Sequence, residues 1–242
     1  MKYSIIIPAY NEAKYIDQTL TCLADYLRDT KIIDNTEVIV VAANGGDGTA
    51  SRAKSHSSIF NKLVVLELPS RVGKGRDLRH GFKHATGEYQ LFMDADMATP
   101  LHHIEVALKT LEAGKDIVIG VRNLATMHNT ILRKASSRLS NLAIRILAVR
   151  NARDTQCGFK AFTRVAAATI FSRAKINGWG TDIEILAIAQ IHKLSIAQQS
   201  IADWHDPKSG EGLAGDSQLK AMRQTLKELY IIRRNINKGE YK

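Results

Sequence analysis

The chain has 242 residues, 45% of them hydrophobic and 24% charged, and a formal net charge of +10. This is a globular balance. It excludes a disordered charged polymer, and no apolar run approaches the about 18 residues of a membrane-spanning helix. Two cysteines, Cys22 and Cys157, make no disulfide framework and point to a reduced, cytoplasmic setting in which Cys157 reads as a small buried residue.

The start runs straight into an apolar run at residues 3–7, with no positive leader and no cleavage site, so no signal peptide is expected. Strand-like runs follow at 37–41, 63–68, 89–93 and 116–121, and helical patterns fill the gaps at 12–29, 49–57, 75–86 and 101–113. Strands alternating with helices of that length predict one compact α/β domain whose mostly parallel sheet is covered by helices on both faces. No repeat or linker interrupts it. After Val121 the pattern changes. A helix is expected over 133–149, another over 182–192, and a strand over 195–202. Leu219, Met222, Leu226, Leu229 and Tyr230 form an apolar stripe beside Lys220, Arg223, Lys227, Arg233 and Arg234. Residues 211–242 therefore read as a basic amphipathic helix packed on the 1–210 domain or on a membrane surface.

The charge is concentrated. Between Val121 and Lys175 the sequence holds eleven Lys or Arg and one acid, Asp154. Such a segment suits a solvated face, an anionic membrane, a phosphorylated substrate or a nucleic acid, and charge alone does not choose among them. No recognised nucleic-acid motif accompanies it, which makes nucleic acid the weakest of these readings.

The chemistry centres on Y-Q-L-F-M-D-A-D-M-A-T-P at residues 89–100. Asp94 and Asp96 follow an apolar strand directly, and side chains two apart on a strand point the same way. Both carboxylates can converge at the strand's carboxyl edge, where open α/β sheets bind ligands, and hard oxygen donors there suit Mg²⁺ or Mn²⁺. An acidic pair alone could equally cap the helix that Thr99-Pro100 announces. Three further pieces end other strands: Pro8-Ala9-Tyr10-Asn11-Glu12, Asn44-Gly45-Gly46-Asp47-Gly48-Thr49 and Val72-Gly73-Lys74-Gly75. The last is a Gly-Lys-Gly turn opening a helix, a place that suits a phosphate.

Taken together, P-A-Y-N-E, N-G-G-D-G-T, G-K-G-x₅-G with A-T-G-E-Y, and D-A-D-x-x-T-P closely resemble the family-2 inverting glycosyltransferases of GT-A fold. Arg153-Asp154-Thr155-Gln156-Cys157-Gly158-Phe159-Lys160, with the 179–184 run W-G-T-D-I-E and the 204–209 run W-H-D-P-K-S, looks like the branch that glycosylates dolichyl or polyprenyl phosphate, and is most similar to dolichyl-phosphate β-glucosyltransferases. The resemblance spans about residues 3–210. It implies a GT-A (Rossmann-like) fold, a nucleoside-diphosphate sugar donor (UDP- favoured over GDP-), a lipid-phosphate acceptor, a Mg²⁺ or Mn²⁺ cofactor and a peripheral seat on the cytoplasmic face of a membrane.

By position, the resemblance puts Pro8, Tyr10, Glu12, Asn44, Asp47 and Ala95 around the nucleotide sugar, with Glu12 on the ribose. It puts Asp94 and Asp96 on the metal, Lys74 on the diphosphate, Arg122, Arg133 and Ser137 on the acceptor phosphate, and Asp182 and Glu184 near the sugar. The chain departs from the pattern after the second strand, where relatives carry D-D-G-S-x-D and this sequence has Ala42-Ala43-Asn44, and at Asp77, where small residues are usual. Two other readings follow from the same residues: a transferase acting on a saccharide or protein hydroxyl, with Asp182 as base, and a catalytically silent nucleotide-binding or membrane-surface adaptor.

Overall fold

A computed structural model of the chain describes residues 1–122, 154–178, 180–205, 207 and 215–242, with side chains of the last stretch from 223 onward. Seven strands form one sheet: β1 (Tyr3–Ala9), β2 (Thr36–Ala43), β3 (Leu63–Leu68), β4 (Tyr89–Met93), β5 (Ile117–Arg122), β6 (Phe159–Thr163) and β7 (Ile196–Ile201). Their spatial order is β3-β2-β1-β4-β6-β5-β7, and only β6 runs antiparallel, wedged between β4 and β5. Among the described residues the helices are α1 (Ile16–Asp29), α2 (Thr49–Ser55), α3 (Lys74–His84), α4 (His103–Glu112), α5 (Arg164–Phe171), α6 (Thr181–Ile191) and α7 (Gly215–Lys238). The expected helix over 133–149, with Arg133 and Ser137, lies outside the described residues.

Strand alternation sorts the core into two layers. Ile5, Ile7, Val38, Val40, Leu91 and Val118 pack against α1 and α4, while Ile6, Ile39, Val41, Phe92, Ile119 and Phe162 face α3, α5 and α6. On the second face Phe82 stacks on Phe171 at 3.8 Å and meets Phe92 and Phe162 edge-on. Leu229 and Ile232 of α7 join the same layer, as does Tyr241 beyond the helix. Among the described residues no helix is long and apolar enough to cross a membrane.

Three features differ from the sequence expectation. The first helix begins at Ile16 rather than at residue 12, because Asn11 takes a left-handed turn (φ 55°) and Tyr15 N–H closes a turn on the Glu12 carbonyl. The strand β6 and the helix α5 were both unread. Lys160 breaks the apolar run of β6, and β6 takes its place by pairing with β4 and β5, with Phe92 and Ile119 opposite Lys160. The helix α5 is then capped by the Thr163 hydroxyl, which accepts from Ala166 N–H at 3.2 Å.

Glu37, in the interior strand β2, is fully buried. Its carboxylate accepts from Ser4 Oγ (2.7 Å), from Thr86 N–H (2.5 Å) and Oγ1 (2.9 Å), and from the Lys62 ammonium. Burial opposes its charge, but the hydrogen bonds from Lys62, Ser4 and Thr86 outweigh it and hold the carboxyl at about 2 against an ordinary 4.5. A depressed carboxyl contributes stability above its unfolded value and loses it as pH falls through the folded one. Urea unfolding should therefore show stability dropping from pH 4.5 toward 2, and Glu37→Gln should flatten that slope; an unchanged slope would remove Glu37 from the acid response.

Candidate functional site

The carboxyl ends of β1, β2, β3 and β4 meet at one edge of the sheet. At the head of β4, Asp94 accepts a hydrogen bond from Lys74 Nζ at 2.6 Å, and Asp96 Oδ1 accepts from Ala98 N–H at 3.2 Å. Lys74 is the first residue of α3 and lies over the Phe92 ring, 5.2 Å from its centroid. Burial pulls on its charge, but the Asp94 and Asp182 carboxylates outweigh it and hold the ammonium above its ordinary value. Asp94 also presses on the backbone of β6: a Cβ on Gly158 would lie 1.6 Å from Asp94 Oδ2, so only glycine leaves room for this carboxylate.

A second ion pair stands behind the first. Lys160, fully buried, donates to Asp182 Oδ1 at 2.5 Å and to the Cys157 carbonyl at 2.8 Å, and it lies 5.4 Å from the Phe92 centroid. Two ammonium groups and two carboxylates thus surround one phenylalanine. Cys157 is fully buried, and burial pushes its thiol up, which suits packing rather than nucleophilic chemistry.

The first two loops bind one another. Thr49 Oγ1 accepts from Glu12 N–H (2.9 Å) and donates to Asp47 Oδ1 (2.7 Å), while Asp47 also accepts from Ala13 N–H (3.0 Å) and Thr49 N–H (3.0 Å). Asp47 therefore ties the β1 loop to the start of α2. Asn44 accepts from Gly46 N–H at 3.0 Å and closes its own turn, and Ala42 and Ala43 are buried strand residues. These residues, with 48–51 and 67–69, line a cleft of about 410 Å³. Tyr10 stands at its rim beneath the Arg71 guanidinium, 4.4 Å from the ring centroid. Pro8 and Glu12 are half-buried on the same loop, and Ala95 is buried, its carbonyl held by Thr19 Oγ1 at 2.6 Å.

A smaller pocket of about 290 Å³ is lined by Asp96, Met97, Thr19, Tyr15, His205 and Pro207 among others. His205 went unremarked as a candidate ligand in the sequence, where it is one of eight histidines in a loop; the fold seats it across from Asp96, its N–H on the Ala98 carbonyl at 3.2 Å. The carboxylate oxygens of Asp94 and Asp96 are the donor chemistry that a divalent cation of the Mg²⁺–Mn²⁺ class takes, and among the described residues no third histidine, cysteine or acid converges with them.

Two other expected residues are engaged otherwise. Glu184 is fully buried on α6: it accepts from Lys175 N–H, from Ile176 N–H at 2.8 Å and from Tyr241 OH at 2.6 Å, and burial pushes its carboxyl up. Arg122 forks onto Asp154 through Nε (2.7 Å) and Nη2 (3.1 Å) and lies 5.2 Å from the Trp204 ring. Asp77, unusual in sequence, is buried and accepts from Arg76 at 3.2 Å.

Removing one partner of a buried ion pair strands the other. Lys160→Met is expected to lower stability by about 3–5 kcal/mol, measured by urea unfolding. The double variant Lys160→Met/Asp182→Leu should recover most of that loss, and absence of recovery would mean that Lys160 acts through packing alone.

Similarity to known proteins matches this geometry. The chain is 36% identical over 216 residues to a dolichyl-phosphate β-glucosyltransferase of Drosophila melanogaster, covering 83% of this chain and 66% of that protein. It is 33% identical over 215 residues to one from Trichomonas vaginalis, covering 84% and 65%. The chain thus spans just under two thirds of the length of these relatives. Among solved structures, glucosyl-3-phosphoglycerate synthase from Mycobacterium tuberculosis, crystallised with Mn²⁺, uridine diphosphate and phosphoglyceric acid, superposes with a TM-score of 0.68 at 19% identity, over 96% of this chain and 78% of that one. That likeness establishes the GT-A fold. The sequence profile of glycosyl transferase family 2 matches residues 4–171, and the chain belongs to that family.

Proposed function

We propose that this chain is a metal-dependent inverting glycosyltransferase that moves glucose from UDP-glucose to a dolichyl or polyprenyl phosphate. The observation that carries this reading is the Lys74–Asp94 pair beside Asp96, at a sheet edge where a sugar diphosphate would meet a fixed cation and two hard oxygen donors. The relatives' activity supports glucose and the lipid phosphate, and the uridine diphosphate in the mycobacterial structure supports UDP.

The roles follow from charge. Asn44 and Asp47 line the cleft after β2, and Pro8, Tyr10 and Glu12 of the neighbouring β1 end would join them around the nucleoside, with Asp47 acting through the loops it ties together. Asp94 and Asp96 would hold Mg²⁺ or Mn²⁺ through their carboxylate oxygens, and the ion's charge would stabilise the departing diphosphate. Lys74 adds a fixed positive charge where negative charge develops, in a site already organised for it. The acceptor phosphate is an anion at neutral pH and needs no strong base, only cations to aim it. With the Nε and Nη2 edge of Arg122 taken by Asp154, an acceptor phosphate would meet the other edge of that guanidinium. Attack opposite the leaving group inverts the anomeric carbon. Asp182 is committed to Lys160, which favours a positioning role over that of a base for a hydroxyl acceptor.

The exposed face of α7 supports a peripheral membrane seat. Leu229 and Ile232 pack on the domain, whereas Arg223, Leu226, Lys227, Tyr230 and Arg234 are exposed, the last five spaced as a basic stripe with two apolar members. Residues 1–210 would carry the chemistry and α7 the contact with the lipid's own surface.

A transfer assay with UDP- and GDP-sugars, polyprenyl phosphate and Mg²⁺ or Mn²⁺ tests the activity. Labelled glucose should enter the lipid fraction from UDP-glucose, fall by about a hundredfold or more in Asp96→Ala, and disappear with a chelator; transfer only to soluble hydroxyl acceptors would overturn the lipid-phosphate reading. For the membrane seat, sedimentation with anionic vesicles should weaken about thirtyfold or more in Arg223→Glu/Arg234→Glu, at roughly 1 kcal/mol per basic residue near the surface. Equal sedimentation of both proteins would remove α7 from the contact.

A further inference from the structure

Outside the pocket that Asp96 lines, a second set of donors converges where the start of α4 meets the turn after β7. His103 Nε2 lies 2.7 Å from Asp203 Oδ1, and His102 Nε2 lies 3.3 Å from Asp203 Oδ2. One ligand atom from each of the three residues falls within 4.8 Å of the others. Ligand atoms around a tetrahedral zinc ion, with bonds of about 2.0–2.1 Å, stand about 3.3 Å apart. Small rotations of the exposed His102 ring and of the Asp203 carboxylate therefore bring all three onto one ion.

The surroundings are built for one orientation of His103. Its ring is buried, with Nδ1 on Gln199 Nε2 at 2.9 Å, so the other nitrogen faces Asp203. Ligation through Nε2 requires the proton on Nδ1, and a carbonyl oxygen to receive it. Gln199 Nε2 also donates to the His103 carbonyl at 3.1 Å, while its Oε1 is buried with no hydrogen-bond partner; turning the amide over offers that oxygen to the Nδ1 proton at the expense of the carbonyl contact, so ligation through Nε2 carries that cost. The positive end of α4 works against a bare cation, and the Asp203 charge offsets it.

We propose that His102, His103 and Asp203 form a second metal site, selective for a borderline transition ion such as Zn²⁺ and distinct from the site of Asp94 and Asp96. Two imidazole nitrogens and one carboxylate oxygen leave the fourth position of a tetrahedral ion to water. The donor set separates the two sites chemically, since Mg²⁺ prefers oxygen and binds imidazole poorly. A bound ion cross-links the first residues of α4 to the turn that carries Trp204, which lies on Arg122, and His205, which lines the Asp96 pocket.

The test uses Zn²⁺ alone, titrated into the full chain in competition with a chromophoric indicator. The Asp94→Ala/Asp96→Ala protein should retain one equivalent of Zn²⁺, unmoved by excess Mg²⁺, and its Tm should rise on binding. Adding His102→Ala or Asp203→Asn to that background should weaken the remaining site at least about tenfold. Both side chains are largely exposed, so Tm without metal is expected to hold. X-ray absorption of the remaining ion should report two imidazole ligands. Loss of all zinc in the Asp94→Ala/Asp96→Ala protein, or zinc affinity indifferent to His102→Ala and Asp203→Asn, would overturn the proposal.

Discussion

Phe92 sits between two ammonium groups, and each ammonium answers to its own carboxylate. Lys74 reaches Asp94 from the start of α3, and Lys160 reaches Asp182 from β6, both within 5.4 Å of the ring centroid. Lys160 and Asp182 lie in a low-dielectric interior where neither charge is tolerable alone, so β6 and α6, which supply them, depend on one another, whereas Lys74 and Asp94 are partly open to solvent. The Lys160–Asp182 pair fixes α6 against β6, and β6 brings Gly158 under Asp94. The place of Asp94 is therefore decided by residues more than sixty positions away in the chain.

The segment 175–180 is the second element on which the site rests. It receives the N-terminus of α3: Gly75 N–H bonds the Asn177 carbonyl at 2.9 Å, and Arg79 donates to the Ile176 carbonyl at 2.6 Å. Gly73 and Gly75 have no room for a side chain there, each ideal Cβ falling within 2.2 Å of a carbonyl oxygen. From below, Glu184 holds Lys175 and Ile176, Glu228 of α7 holds Gly180 N–H at 2.6 Å, and Tyr241 holds Glu184. Lys74 is thus supported from the far end of the chain, which gives α7 a part in the catalytic framework besides the exposed basic face it presents.

Much of the site was legible in order. Alternating apolar runs and helical periods predicted the strands β1 to β5 to within a residue or two at most ends, because each has an apolar sequence of its own, even β3 at the edge of the sheet. The acids after β4, the Gly-Lys-Gly turn before α3 and the Asn-Gly-Gly-Asp loop after β2 all lie at strand ends, where short-range geometry decides which way a side chain points. Family resemblance placed the same residues in roles; the fold pairs Lys74 with Asp94, two residues before Asp96.

By itself, the sequence determined local matters: periodicity, turns, and two carboxylates spaced to share a face. Tertiary structure alone decided which charges are partnered. Nothing near Lys160 in sequence announces that it is buried against Asp182, that Glu184 turns away to clamp Tyr241, that Asp47 spends its oxygens tying two loops, or that Asp203 meets His102 and His103 a hundred residues back. The strand β6, with a lysine at its centre, is a strand because β4 and β5 flank it and because Asp182 neutralises that lysine. Burial turns an ionisable side chain from a surface feature into an obligatory half of a pair, and the partner is chosen by the fold.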